Sequence, residues 1–378
     1  MSATGFSHHF ARELDVEQLL ELMKLGSGID QSDTIDPVPP AWLEHIRTDV
    51  ECPSCFVRGA VLVRGARSTR TGKALRQAHF RFIGSDGQDA HHPLCDFYHS
   101  GAPASRNEHA VDFGSDKSAL ARAVRKLVCS GIELGVFDQI AMRDLRKWFF
   151  EKRLQNRFDL ALTPEAVDWY SKLMAYASSG LPFRPVHGEL ARLDWKQAAR
   201  QRLRERHAQL VASPLRVYGW PKEAGRAKAL IIKHANQRVF DPASLQSYYA
   251  QTISLVRFAA SHYPALAISQ RQLYDVGVDD RMRALMALCA LLLNVSGWST
   301  DLAVEKLITL INAPEPRTTT LGNMIGLNPF HDYVAWSLIR HLSDAVAGAD
   351  INFDHDGEIA AIEHGLRAEH EEWRARKS

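Results

Sequence analysis

Residues 51–65 read ECPSCFVRGAVLVRG, and they decide how the first third of the chain is built. Cys52 and Cys55 stand at C-x₂-C spacing. Two thiolates so spaced reach one metal ion when the residues between them turn tightly, and Pro53 favours such a turn. The run CFVRGAVLVRGA (55–66) alternates and is rich in Val, as is ALRQAHFRFIG (74–84) in Phe and Ile. The two read as strands of a β-hairpin with RSTRTGK as its turn.

A structural metal site needs two further ligands, brought alongside by such a hairpin. HHPLCDFYH (91–99) follows, so three of the chain's five cysteines fall within residues 51–99. His79 ends the second strand and Cys95 comes sixteen residues later. Cys52, Cys55, His79 and Cys95 are therefore the expected Cys₃His set for one structural Zn²⁺. His92 and His99, three and four residues from Cys95, are the alternatives to His79. Other readings of Cys52 and Cys55 are buried thiols and a redox pair, but no thioredoxin-like βαβ pattern surrounds them.

The order C-P-x-C, hairpin, H-F resembles the N-terminal zinc module of competence CoiA-like proteins over residues 51–100. Cys52, Pro53, Cys55, His79 and Phe80 carry the resemblance. It implies a zinc module in a protein that handles DNA. HFRF stands where the family has an HFAH-type motif, so the second histidine is missing, and Cys95 with His91 or His92 would compensate. The Asp…Glu-x-Lys constellation of a downstream nuclease domain does not appear.

The rest reads as helix. FARELDVEQLLELMKL (10–25) places Phe10, Leu14, Leu19, Leu20 and Met23 near helical spacing, and a short helix is expected at about 41–48. SDKSALARAVRKLVCSG (115–131) opens on a Ser/Asp cap and ends at Gly131. Further helices are expected at about 138–155, 164–178, 194–212, 242–262, 279–294, 300–312, 330–346 and 356–374. ASPLRVYGWP (212–221) reads as a linker, with two prolines and a glycine. The expected fold class is mainly α, a multi-helix protein with a small zinc-bound β-hairpin module near its start. Four consecutive segments follow: an N-terminal helical segment (1–50), the β-module (51–115), a helical domain (116–212) and a C-terminal helical domain (213–378).

Composition sets the class. The 46% hydrophobic and 24% charged residues are ordinary for a soluble protein. ALMALCALLLNV (284–295) is too short to span a bilayer and reads as a buried helix. MSATGFSHHFARELD has no basic start followed by an apolar core, so no secretory signal is expected, and few cysteines fit a reducing compartment. The expectation is a cytoplasmic protein.

The net charge of +2 hides a segregation. Residues 1–50 carry nine acids against three bases, and residues 341–378 nine against four. Residues 191–240 carry twelve Lys/Arg against three acids. On WKQAARQRLRERHAQL (195–210), Lys196, Arg200, Arg204 and His207 recur at helical steps, with Arg202 and Arg206 on a second stripe. Arg216, Lys222, Arg226, Lys228 and Lys233 follow, near Tyr218 and Trp220. Such cations contact phosphates, and a nearby aromatic can stack on a base; solvated helix faces and core aromatics are the plainer readings.

RFAASH (257–262) fits the R-x₄-H pattern of HEPN ribonucleases, with Phe258 where that family has a polar residue. HHPLCDFYH with Asn107 and His109 loosely fits an HNH nuclease. NFDHDGE (352–358) lacks an EF-hand ladder. No Walker loop, G-x-G-x-x-G or G-x-S-x-G occurs, and no catalytic residue is assigned. The combined expectation is a zinc-stabilised nucleic-acid-binding protein, an adaptor or recognition subunit of a bacterial DNA-processing or defence assembly. Alternatives are a metal-dependent or HEPN-like nuclease and a protein-interaction scaffold with acidic terminal segments.

Overall fold

The computed structural model describes residues 4–28, 37–67, 74–76, 78–95, 97–98, 118–175, 181–211, 220–274, 277, 279–317, 327–347 and 353–378. The protein is mainly helical, with small sheets of two or three strands among these residues. The N-terminal part runs β1 (Thr4–Ser7), β2 (Arg12–Asp15), α1 (Val16–Ser27), α2 (Pro40–Asp49), β3 (Val50–Glu51), β4 (Ala60–Val63), β5 (Ala66–Arg67), β6 (Ala74–Arg76) and β7 (His79–Phe82). Helices then dominate: α3 (Ala119–Glu133), α4 (Gln139–Gln155), β8 (Arg157–Asp159), α5 (Pro164–Ala175), α6 (Trp195–Arg206), α7 (Ala208–Val211), α8 (Trp220–Lys233) and β9 (Arg238–Phe240). The chain closes with α9 (Gln246–His262), α10 (Gln270–Tyr274), α11 (Arg283–Asn294), α12 (Thr300–Ile311), α13 (Tyr333–Val346) and α14 (His355–Lys377).

Two compact units emerge, each from two stretches of chain: Met1–Asn156 with Ser244–His331, and Arg157–Ala243 with Asp332–Ser378. The boundaries differ from the four consecutive segments expected. The reason lies in α11, where every residue from Ala284 to Leu293 is buried. A helix apolar on all sides must be surrounded, and α11 packs on α3 and α4 as well as on α9 and α12. Residues 244–331 therefore return to the N-terminal unit.

In that first unit the expected hairpin forms, with β4 antiparallel to β7 in the register Ala60↔Phe82 to Val63↔His79. A second sheet was not expected: β1 pairs with both β2 and β3. Residues 10–14 belong to the β1–β2 turn and to β2, not to the expected helix. Asp15 starts α1 instead, accepting from Gln18 N at 2.8 Å while Gln18 Oε1 accepts from Asp15 N at 3.1 Å.

Helix α4 grips the sheet through two arginines one turn apart. Arg146 meets Glu13 at 2.5 Å, both side chains 4% exposed, and Arg143 meets buried Glu51 at 2.6 Å. Thr4 Oγ1 also donates to Glu13 at 2.6 Å. A buried charge is tolerated only with such company.

In the second unit α14 lies along α6, and α8 packs on α5 and α13. Helix α8 is absent from the helices read in the sequence; its buried residues Ala224, Ala227 and Ile231 hold helical spacing, but two of the three are alanines and a buried carboxylate, Glu223, stands beside them. Trp220 and Pro221 open it, and 212–219 of the expected linker lie outside the described residues. The two-stranded ribbon β8–β9 is the sheet of this unit among its described residues.

Candidate metal centre

Two short loops build the site. After β3 the chain turns at Cys52–Cys55, where Cys52 N donates to Val57 O at 2.8 Å and Phe56 N donates to Cys52 O at 3.0 Å. Phe56 takes φ +62° and Gly59 φ +92°, which lets so tight a loop close before β4. After β7 the second loop is fixed by Asp89, whose Oδ1 accepts from His91 N at 2.9 Å. Cys95 N then donates to His92 O at 2.7 Å and Tyr98 N to Cys95 O at 3.1 Å. The β4–β7 hairpin, with Phe80 and Phe82 buried beneath, brings the loops together.

The ligand atoms of Cys52, Cys55, His91 and Cys95 lie within 4.8 Å of one another. Cys52 Sγ and Cys95 Sγ are 3.8 Å apart. His91 Nδ1 stands 3.4 Å from Cys55 Sγ and 3.5 Å from Cys95 Sγ. A tetrahedral ion bound at about 2.3 Å to sulfur and about 2.0 Å to nitrogen sets S···S near ~3.8 Å and S···N near ~3.5 Å. The residues fit, and the cluster can hold a metal ion.

The surroundings suit thiolates. Ser54 N donates to Cys52 Sγ and Phe97 N to Cys95 Sγ, each at 3.4 Å and each from two residues downstream. Without an ion, burial pushes the Cys52 thiol well above its ordinary range. Hydrogen bonds from the Cys52 and Cys95 thiols hold Cys55 far below it. One thiolate thus shares the protons of its neighbours, and a cation would replace those protons.

Three of the four expected ligands converge, and the fourth is corrected. His79 sits in the β7 ladder opposite Val63 and is not in the cluster; His91 takes the place given to it. His92 Nδ1 accepts from Leu94 N at 3.0 Å within its own loop, and its ring packs edge-on against Phe150 at 5.3 Å. His99 lies outside the described residues, as do Asn107 and His109. Ligands in such sites come in pairs from one turn. His91 and Cys95 form that pair at a spacing of four.

With three cysteines and a histidine, all four positions of a tetrahedron are filled by protein. Cys52 is 0%, Cys95 4% and His91 4% exposed. Cys55 is the most exposed member of the four.

The expected phosphate-binding cations are scattered in use. Arg204 Nη1 donates to Leu173 O at 2.9 Å, and Arg202 reaches Glu369 of α14 at 3.5 Å. Arg226 pairs with buried Glu223 at 2.7 Å and Lys228 with Asp168 at 2.8 Å. Arg200 is half-buried beside Gln197. Lys196, Arg206, Lys222 and Lys233 are exposed. Arg216 and Tyr218 lie outside the described residues. Arg257 and His262 do not form a pair: Arg257 Nε donates to Leu273 O at 3.1 Å, and His262 Nδ1 meets Phe258 O at 2.9 Å. Five residues apart on α9, they point to sides of the helix some ~140° apart.

No protein-family model, no curated protein and no solved structure matches the chain. No helix among the described residues is long and apolar enough to cross a membrane.

Proposed function

We propose that Cys52, Cys55, His91 and Cys95 hold one structural Zn²⁺, and that this protein is a zinc-stabilised, non-catalytic nucleic-acid-binding adaptor of the cytoplasm. The observation that carries the zinc is the Cys₃His cluster, in which the Cys52–Cys95 sulfur distance of 3.8 Å and the Cys55–His91 distance of 3.4 Å match zinc–ligand spacing. Its role is structural because no position stays open for water. The ion closes a module whose strands of two to four residues would not hold alone.

Nucleic-acid binding is supported by the basic 191–240 segment and by Lys196, Arg206, Lys222 and Lys233, which stay exposed there. Exposed Lys and Arg contact phosphates without reading sequence. The order of Cys52, Cys55 and hairpin resembles the CoiA-like zinc module, although His79 is not in the cluster here, and that resemblance suggests DNA-processing and defence assemblies as the setting. The test is a salt series with random-sequence DNA and RNA, with and without divalent metal. Binding that weakens steeply with salt and no cleavage are expected. Absence of binding at low ionic strength leaves the scaffold reading, and metal-dependent cleavage the nuclease reading.

A further inference from the structure

In the first unit three large aromatic rings meet. Trp148 of α4, Tyr248 of α9 and Trp298 of the α11–α12 turn hold centroids 4.9, 4.9 and 4.5 Å apart. Their planes are inclined by 80°, 37° and 63°. All three residues are half-buried rather than sealed in the core.

The turn that supplies Trp298 is not built for economy. Trp298 has φ +63°, directly after Gly297 at φ +59°. A bulky side chain in that region is an outlier that glycine or asparagine would relieve. The same turn carries Ser296, whose buried Oγ has no hydrogen-bond partner among the described residues. Trp298 N donates to Leu293 O at 2.7 Å, and Gln251 Nε2 donates to Trp298 O at 3.1 Å, so the strained residue is held firmly. Strain kept in place around one side chain points to use of that side chain.

Charge narrows the ligand. Lys152 Nζ lies over the Tyr248 ring, 5.6 Å from its centroid. The place a cationic ligand would take on that ring is thus filled by the protein's own ammonium, which repels a second cation and attracts an anion. A flat ring beside a phosphate meets both demands. We infer that Trp148, Tyr248, Trp298 and Lys152 form a stacking site for an unpaired base of single-stranded nucleic acid. The inference rests on the nucleic-acid reading above and names the part of the ligand it touches.

The test uses the full chain with labelled oligothymidylate and oligouridylate, and a duplex of equal length as comparator. Intrinsic tryptophan fluorescence should be quenched on strand binding. Trp298→Ala and Tyr248→Ala should each weaken strand binding about ten-fold, leave duplex binding unchanged, and keep the wild-type circular dichroism. Tyr248→Phe should bind as wild type. Lys152→Gln, which removes a charge and no aromatic ring, should weaken the strand and flatten its salt dependence. Should the tryptophan variant unfold, Tyr248→Ala and Lys152→Gln still decide the matter. Unchanged strand affinity in Lys152→Gln and in folded Tyr248→Ala overturns the inference, as does preference for a trimethyllysine peptide over the oligonucleotides. Wild-type binding confined to duplex overturns this site alone, whereas no binding of any nucleic acid overturns the parent reading as well.

Discussion

The sulfurs of Cys52 and Cys95 lie 3.8 Å apart across 43 positions of sequence. A disulfide would bring them to about 2.05 Å, so the two are not bonded to each other. They belong to a cluster that Cys55 and His91 complete and that can hold a metal ion. Their variants should behave alike: Cys52→Ser and Cys95→Ser each lose the metal and unfold the module around it, because binding and folding free energy are here the same quantity. Cys129→Ser and Cys289→Ser, both buried in helices far along the chain, should keep the metal. Metal content and near-ultraviolet dichroism check this.

The histidines give a sharper contrast. His91→Ala should retain less than about half an equivalent of metal after dialysis against chelator, and His79→Ala about one. Equal retention by the two variants would show that His91 Nδ1 is not a ligand.

Arg146 and Glu13 offer a stability test independent of metal. Both are almost fully buried, so Arg146→Ala strands a carboxylate and should cost about 3–5 kcal/mol in urea unfolding. Lys126 pairs with Glu315 at the surface, and Lys126→Ala should cost about 0–1 kcal/mol. Arg146→Met with Glu13→Gln should recover much of the loss, since the unpaired charge is then gone.

Much of this was legible before the fold was known, and what was not has physical causes. The C-x₂-C knuckle, the hairpin and the buried helix at 284–295 are strong local patterns; the helix formed, and the hairpin pairs Ala60–Val63 with His79–Phe82, with 68–73 of its expected turn outside the described residues. Strands β1 to β3 hold two to four residues, too few for alternation to stand out, and the capping box at Asp15 trims the expected first helix from its front. Helix α8 buries alanines rather than leucines on part of its face, so its apolar stripe is faint. His91 reads in the sequence only as a substitute for a missing histidine, because a strand histidine offers the same donor and the turn that carries a ligand is not visible there. Nothing in the sequence told which arginines of α6 would be spent on carbonyls and on α14.

That last point gives a prediction for the basic segment. Lys196→Glu with Arg206→Glu should weaken nucleic acid of every sequence alike and reduce the log–log salt slope on duplex by roughly 1.8, at about 0.9 per phosphate contact. Arg204→Ala should instead lower the thermal midpoint, because it removes a bond to the Leu173 carbonyl.

Glu223 supplies a pH dependence. Burial raises its pKa, and the paired Arg226 only partly offsets this. A carboxyl whose folded pKa exceeds its unfolded value binds more protons when folded. Its contribution is therefore present at low pH and is lost as pH rises through the folded pKa. As pH rises above the ordinary carboxylate range, the wild type should lose stability more steeply than Glu223→Gln. Thermal melts of the two proteins across that rise check the sign.

The most direct measurement is the metal content of wild-type protein purified without chelator from zinc-replete cells, read together with its reactive thiols. The account predicts about one zinc per chain, three thiols protected until a chelator removes the ion, and loss of the zinc in Cys52→Ser. Wild-type protein that is folded and holds less than a few tenths of an equivalent of any metal would contradict it.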